Sequence, residues 1–265
     1  MHNFFSKRLL RKQFIYAFLI LVTIAVAHAI YVIDTLGTQI TYRDTPYTKW
    51  LLVDNFSGFS IIYLLLLPII VSVATGDVYI QDKQNGFLHA HITQQTRWRT
   101  WLNYSAVSSL YTALIVIVSL VVNVVILFCF LPNISPDPII NKGSGLNGYN
   151  TLFISGYYHH PYLHIAWSIL HVALCAMVYN LLAISLSIVF NKRIVAFIGV
   201  FCAQMMLIIL NQFLPRMWLI PPVYFLQNGT PFIVVNMWHV LFTYILMLLC
   251  IMIFKKIGDA KYEIG

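Results

Sequence analysis

Six apolar runs, most of them at or above the roughly 20 residues a helix needs to cross a hydrocarbon core, leave this chain few alternatives to a membrane fold. They occupy 14–33, 58–75, 102–131, 163–190, 194–214 and 232–254. A transmembrane strand would show about 9 to 11 residues of alternating polarity. "YLLLLPIIVSVA" and "SLVVNVVILFCFL" show none, so the runs read as helices. Charged residues make up 9% of the chain, against about 25% in soluble domains. The expected fold is an all-α integral membrane protein, a single transmembrane domain over residues 1–265 with no soluble domain. "KRLLRK" followed by an apolar run and "AVAHA" imitates a secretory signal, but the run continues through Ile33 and is read as span one.

Basic residues in short loops favour the cytoplasmic side. Twelve of the sixteen Lys and Arg fall in the end segments and the connectors after spans two and four, and four in the alternate connectors. Both termini are therefore expected in the cytoplasm. The net charge of +8 reads as topology and attraction to lipid headgroups, and no basic soluble face suggests nucleic acid. Cys129, Cys175, Cys202 and Cys250 all lie inside the runs, which offers no disulfide framework.

Residues 1–13 mix Phe4, Phe5, Leu9 and Leu10 with four basic residues, which suits either a short helix in the inner headgroup layer or a simple basic anchor. "PRMWLIPPVYFLQNGTP", before span six, is too apolar for an ordinary loop. It reads either as a re-entrant segment covered by protein or as an aromatic belt. "NKR" at 191–193 is a minimal link, so spans four and five should form a tight antiparallel pair. Pro68 should kink span two, because proline removes a helical donor.

Every Asp, Glu, Lys and Arg falls in a connector or at the edge of a run, which argues against an ion-coupled carrier. Asn180, Gln204, Asn211 and Asn236 are candidates for a translocation path, with interhelical hydrogen bonding the competing role; Asn123 is of the same kind. His159, His160 and His164 are the candidate metal ligands, and His171 lies seven residues beyond His164 on the same helical face. Pro161 interrupts that cluster and no carboxylate neighbours it in sequence. His28 and His239 read as hydrogen-bonded packing residues. No H-E-x-x-H, G-x-S-x-G or phosphate-loop pattern occurs, so no enzymatic role is expected of the chain and no cofactor of its own.

One stretch stands apart: "GDVYIQDKQNGFLHAHITQQTRWRTW", residues 76–101, polar and basic between spans two and three. Span two is expected to end near Gly76, with Asp77 and Asp82 in water and Gly86 breaking the chain. Phe87, Leu88, His91 and Ile92 then recur at helical spacing as a small apolar knob, before "TRWRTW" anchors span three at headgroup depth. The knob reads as a docking element, or else as an interface anchor.

Here the sequence resembles the membrane subunits of type-2 ABC exporters, whose second inward loop carries an acidic residue, a glycine, a short coupling helix and a basic residue. Asp82, Gly86, residues 87–93 and Arg97 stand at the matching places. The six-span layout, the minimal link between spans four and five and the apolar connector before span six are also similar. The family usually has Glu followed later by Gly-Thr where this chain has Asp82 and Gly86-Phe87, and the outward loop at 132–162 is longer than in small members.

The resemblance implies several things beyond the residues themselves. Coupling to a cytosolic ATP-binding subunit would run through Asp82, Gly86, Phe87, Leu88, His91, Ile92 and Arg97. ATP and Mg would sit on that partner. A second copy or a related permease would complete the path in a bacterial plasma membrane. Small members resemble peptide exporters or antimicrobial-peptide resistance subunits, so amphipathic peptides or lipid-like cargo are the expected substrates. The alternatives are a histidine-centred membrane scaffold or metal-dependent protein, and an ion-coupled carrier.

Overall fold

The computed structural model describes residues 11–37, 39–86, 96–139, 141, 145–213, 219–230 and 234–263. Among these the secondary structure is entirely helical. α1 is Lys12–Leu36, α2 Pro46–Lys49, α3 Phe59–Val71, α4 Val78–Gln84, α5 Arg97–Phe130, α6 Ile154–His159, α7 Pro161–Phe190, α8 Arg193–Phe213, α9 Pro222–Leu226 and α10 Met237–Glu263. Six stretches are long and apolar enough to cross a membrane: α1, the α3–α4 unit over Phe59–Gln84, α5, α7, α8 and α10. This is a multi-pass helical membrane protein.

α7 is the axis of the bundle and packs against α5, α8 and α10. In its most apolar window 72% of residues are buried, against 22% in α8 and α10, whose outer faces keep a coat of Ile, Leu, Met and Phe. That difference is expected when lipid rather than water surrounds the bundle, since exposed apolar residues then cost nothing. Asn191, in the left-handed conformation, caps α7, and α8 begins at Arg193, so the pair is as tight as its sequence suggested.

The short helices α2, α6 and α9 gather at one end, the far face; Gln84, the start of α5 and the turn at 191–192 lie at the other, the near face. On the far face residues 44–54 fold inward instead of running through solvent, and Trp50, Leu51 and Leu52 are fully buried. Thr45 and Thr48 form a capping box at α2. Its far-face neighbours interlock through backbone bonds from Asn228 to Leu52 and from Val235 to Tyr149, and Asn55 donates to the carbonyls of Asn228 and Gly229. Gly229 has φ of 83°, and a Cβ there would meet Asn55 Nδ2 at 2.7 Å, so only glycine fits. Residues 220–230 are buried apart from Tyr224, giving the apolar connector before α10 the protein cover its composition demands.

Span two departs from expectation. It does not stop near Gly76. A π-turn at Ser72–Gly76 carries it into α4, so the helical run ends at Gln84. Asp77 and Asp82, expected in water, are each 1% exposed. Lys255 is likewise buried within α10. Asp77, Asp82 and Lys255 are thus buried charges, each in a helical run that continues past its apolar segment.

Candidate functional site

The near-face half of span two is built from a proline, a π-turn and a polar stripe. Pro68 cannot donate to the carbonyl of Leu64, and the side chain of Gln204 supplies that bond instead, from Nε2 at 3.4 Å. Tyr179 in turn donates to Gln204 Oε1, which closes the set. Ser72 Oγ donates to the Pro68 carbonyl at 2.6 Å. The π-turn then lets the helix shift register, a feature common at functional hinges.

Around the turn lies a polar seam. Thr75 Oγ1 sits 2.8 Å from Thr112 Oγ1 and donates to Asn180 Oδ1 at 2.9 Å, while Asn180 Nδ2 donates to Ser108 Oγ at 2.8 Å. The π-turn, α5 and α7 are thereby joined in mid-bundle. Gly76 makes the close approach: a Cβ there would lie 2.9 Å from Ala183 Cβ. Gly76→Ala should lower the thermal midpoint in detergent, an overpacking penalty of about 1–3 kcal/mol, and Ala183→Gly should restore it. A loss that Ala183→Gly does not relieve would show that the contact is not the cause.

Beyond the turn, Asp77, Gln81 and Gln84 form one stripe along α4. Arg11 donates to Gln81 Oε1, Arg193 Nε donates to Gln84 Oε1 at 3.2 Å, and Gln84 Nε2 reaches the carbonyl of Asn191 at 3.4 Å. On another face, Asp82 Oδ2 accepts a 2.6 Å bond from Tyr104 Oη of α5. The near ends of spans two and three are thus tied directly, twenty-two residues apart in sequence. α5 is anchored next to this: the ammonium of Lys255, paired with Asp259, lies 4.8 Å from the Trp98 ring centre and 5.5 Å from that of Trp101. The cations and indoles of "TRWRTW" therefore meet a third cation from α10.

Of the sequence-derived coupling residues, Asp82 is buried at the Tyr104 tie, Gly86 is exposed with φ of 74°, and Arg97 is exposed at the start of α5. Phe87, Leu88, His91 and Ile92 lie outside the described residues.

The histidines do not converge. His159 and His160 are exposed beside a far-face cavity of about 470 Å³, lined also by Tyr47, Asn133 and Tyr162. His164 turns away to the Leu152 carbonyl, 3.2 Å from Nε2. His171 stacks between Trp167 and Phe225. No group of three His, Cys, Asp or Glu able to hold a metal occurs among the described residues. Of the path candidates, Asn180 and Gln204 are spent on the bonds above, Asn211 donates to the Leu219 carbonyl, and Asn236 accepts from the Trp238 amide at the start of α10.

Two groups escaped the sequence reading. One is the Asp77–Gln81–Gln84 stripe, whose i, i+4, i+7 spacing has meaning only because the helical run continues past Gly76 to Gln84. The other lies at the far end of α1. Asn123 accepts the Leu51 amide at 3.0 Å and donates to the Ala25 carbonyl at 2.8 Å and to His28 Nδ1 at 2.9 Å. With both amide hydrogens of Asn123 assigned, His28 carries its proton on Nε2 and donates it to Asp54 Oδ2 at 3.2 Å. Burial alone would raise the Asp54 carboxyl, but the His28 bond and the Phe56 amide hold it below its ordinary 3.8. His28 is thus the hydrogen-bonded packing residue its sequence context suggested, with a partner that context did not reveal.

No protein family, curated protein or solved structure was found to match the chain. Its function rests on this geometry and on the residue pattern.

Proposed function

We propose that the chain is the membrane-spanning subunit of an ATP-driven exporter, similar to the type-2 ABC permeases, with the 85–96 connector as its coupling element. The observation that carries the reading is the Asp82–Tyr104 bond. A force applied to a connector moves spans only if its two flanking helices respond together. This tie makes the near ends of spans two and three one body, with the π-turn and Pro68 behind it as a hinge.

In this reading both termini and the connector face the cytoplasm, where twelve of the sixteen basic residues fall. The apolar knob at Phe87, Leu88, His91 and Ile92 docks in a cytosolic ATP-binding subunit that carries ATP and Mg. Closure of the ATPase pair pushes the knob, tilts the tied arms and opens a route beside a second copy or a related permease. The residues at 220–230 form the re-entrant segment that closes the far side. Amphipathic peptides or lipid-like molecules are the cargo, and a bacterial plasma membrane the setting. The chain performs no covalent step; it converts a two-state change in its partner into movement.

Purification of the tagged chain from native membranes in mild detergent tests this. An ATP-binding soluble subunit should come with it, and Tyr104→Phe should preserve that association while reducing ATP-dependent transport. A chain recovered intact with no nucleotide-binding partner overturns the reading.

A further inference from the structure

Asp77 is the exception among the aspartates. Asp44, Asp54, Asp82, Asp137 and Asp259 each accept a hydrogen bond or ion pair, and Asp34 is exposed. Asp77 is 1% exposed, and no other described residue donates a hydrogen bond to either carboxylate oxygen. It follows directly on the π-turn, beside a seam in which Thr75, Thr112, Ser108 and Asn180 are all partnered. The charged groups whose fields reach it are Arg11 ahead of α1, Arg193 at the start of α8, and Asp82 on its own helix. Both guanidinium groups are bonded elsewhere, to Gln81 and Gln84 of the same stripe.

An ionised carboxylate buried with no hydrogen bond is strongly unfavourable, whereas the neutral acid avoids the desolvation of a charge. A buried ionisable group inside a spanning helix also marks sites where ions bind and leave. We propose that Asp77 is a proton-binding site, occupied in the conformation described, whose deprotonation opens the two glutamine clasps at the near face. The step is a simple dissociation: the carboxylic acid gives its proton to near-face water and becomes a carboxylate. The new anion draws Arg11 and Arg193 from Gln81 and Gln84. Those bonds tie the starts of α1 and α8 to α4, so their release frees the lower arm of span two. The proposal does not rest on an ATPase partner, and it places in this chain the titrating group that an ion-coupled carrier requires.

Infrared spectroscopy of the full chain in lipid nanodiscs tests it. At neutral pH the wild type should show the carbonyl stretch of a protonated carboxyl, absent from Asp77→Asn and lost as pH is raised. In Arg193→Gln the band should persist to higher pH, because a neighbour favouring the anion has gone. Dicyclohexylcarbodiimide, which reacts with the protonated acid, should label Asp77 at neutral pH, with labelling falling about tenfold for each pH unit above the midpoint. Asp77→Asn should keep the wild-type thermal midpoint, since it replaces one neutral group by another. The absence of a carbonyl band that Asp77→Asn removes, or a marked fall in that variant's thermal midpoint, overturns the proposal. A midpoint unmoved in Arg193→Gln overturns the clasp.

Discussion

Asn123→Leu is expected to destabilise the folded chain by about 3 kcal/mol or more, and to raise the hydrogen exchange rate of the Leu51 amide selectively. The substitution is close to isosteric, so packing changes little. It strips the partner from two buried groups, the Leu51 amide and His28 Nδ1, and unties the inward-folded 44–54 segment from α1 and α5. Leaving a buried polar group unsatisfied costs about 1–3 kcal/mol each, which is where the estimate comes from. A thermal midpoint within error of wild type would mean that the Asn123 bonds do not hold the far-face segment in place.

The same network makes an acid-sensitivity prediction. Asp54 is held below its ordinary 3.8, so its contribution is fully present above that value and is lost as pH falls through the lower folded-state value. The Asp54 contribution to far-face stability should therefore be level through neutral pH and decline only as pH falls below 3.8. Asp54→Asn should remove that acid limb while lowering stability throughout the neutral range.

The second large effect concerns the hinge. Gln204→Leu leaves both the Leu64 carbonyl and the Tyr179 hydroxyl without their present partner, at an expected cost of about 2–4 kcal/mol. Pro68→Ala restores the backbone N–H that Leu64 lacks. In that background Gln204→Leu should cost less, by a coupling energy of about 1 kcal/mol. Strict additivity of the two changes would show that Gln204 does not stand in for the missing donor.

These two sites also show what could be read in advance. Long unbroken apolar runs dictate helices because lipid leaves the backbone no other way to pair itself, so all six spans were legible, as was the minimal link after Phe190. Ends were less so. Apolarity marks the part of a helix in contact with lipid, and α4 continues past it with Asp77 and Asp82 turned into protein. Polar residues within spans were recognisable as candidates, but their roles depend on partners far away: Gln204 lies 140 residues from Leu64, and Asp54 lies 26 from His28. No local spacing encodes such pairs. The histidine cluster failed for the opposite reason, since closeness in sequence around Pro161 did not bring the three imidazoles to one point.

In the proposed function the connector between spans two and three grips an ATPase. A photo-crosslinking amino acid at Leu88, introduced into the chain in its native membrane, tests it most directly. The account predicts a crosslink to a soluble ATP-binding subunit, diminished when Leu88 is probed beside Phe87→Asp and absent from a control probe at exposed Ile139 on the far face. Crosslinks from Leu88 to lipid alone, with the chain otherwise folded, would contradict it and make the connector an anchor in the headgroup layer.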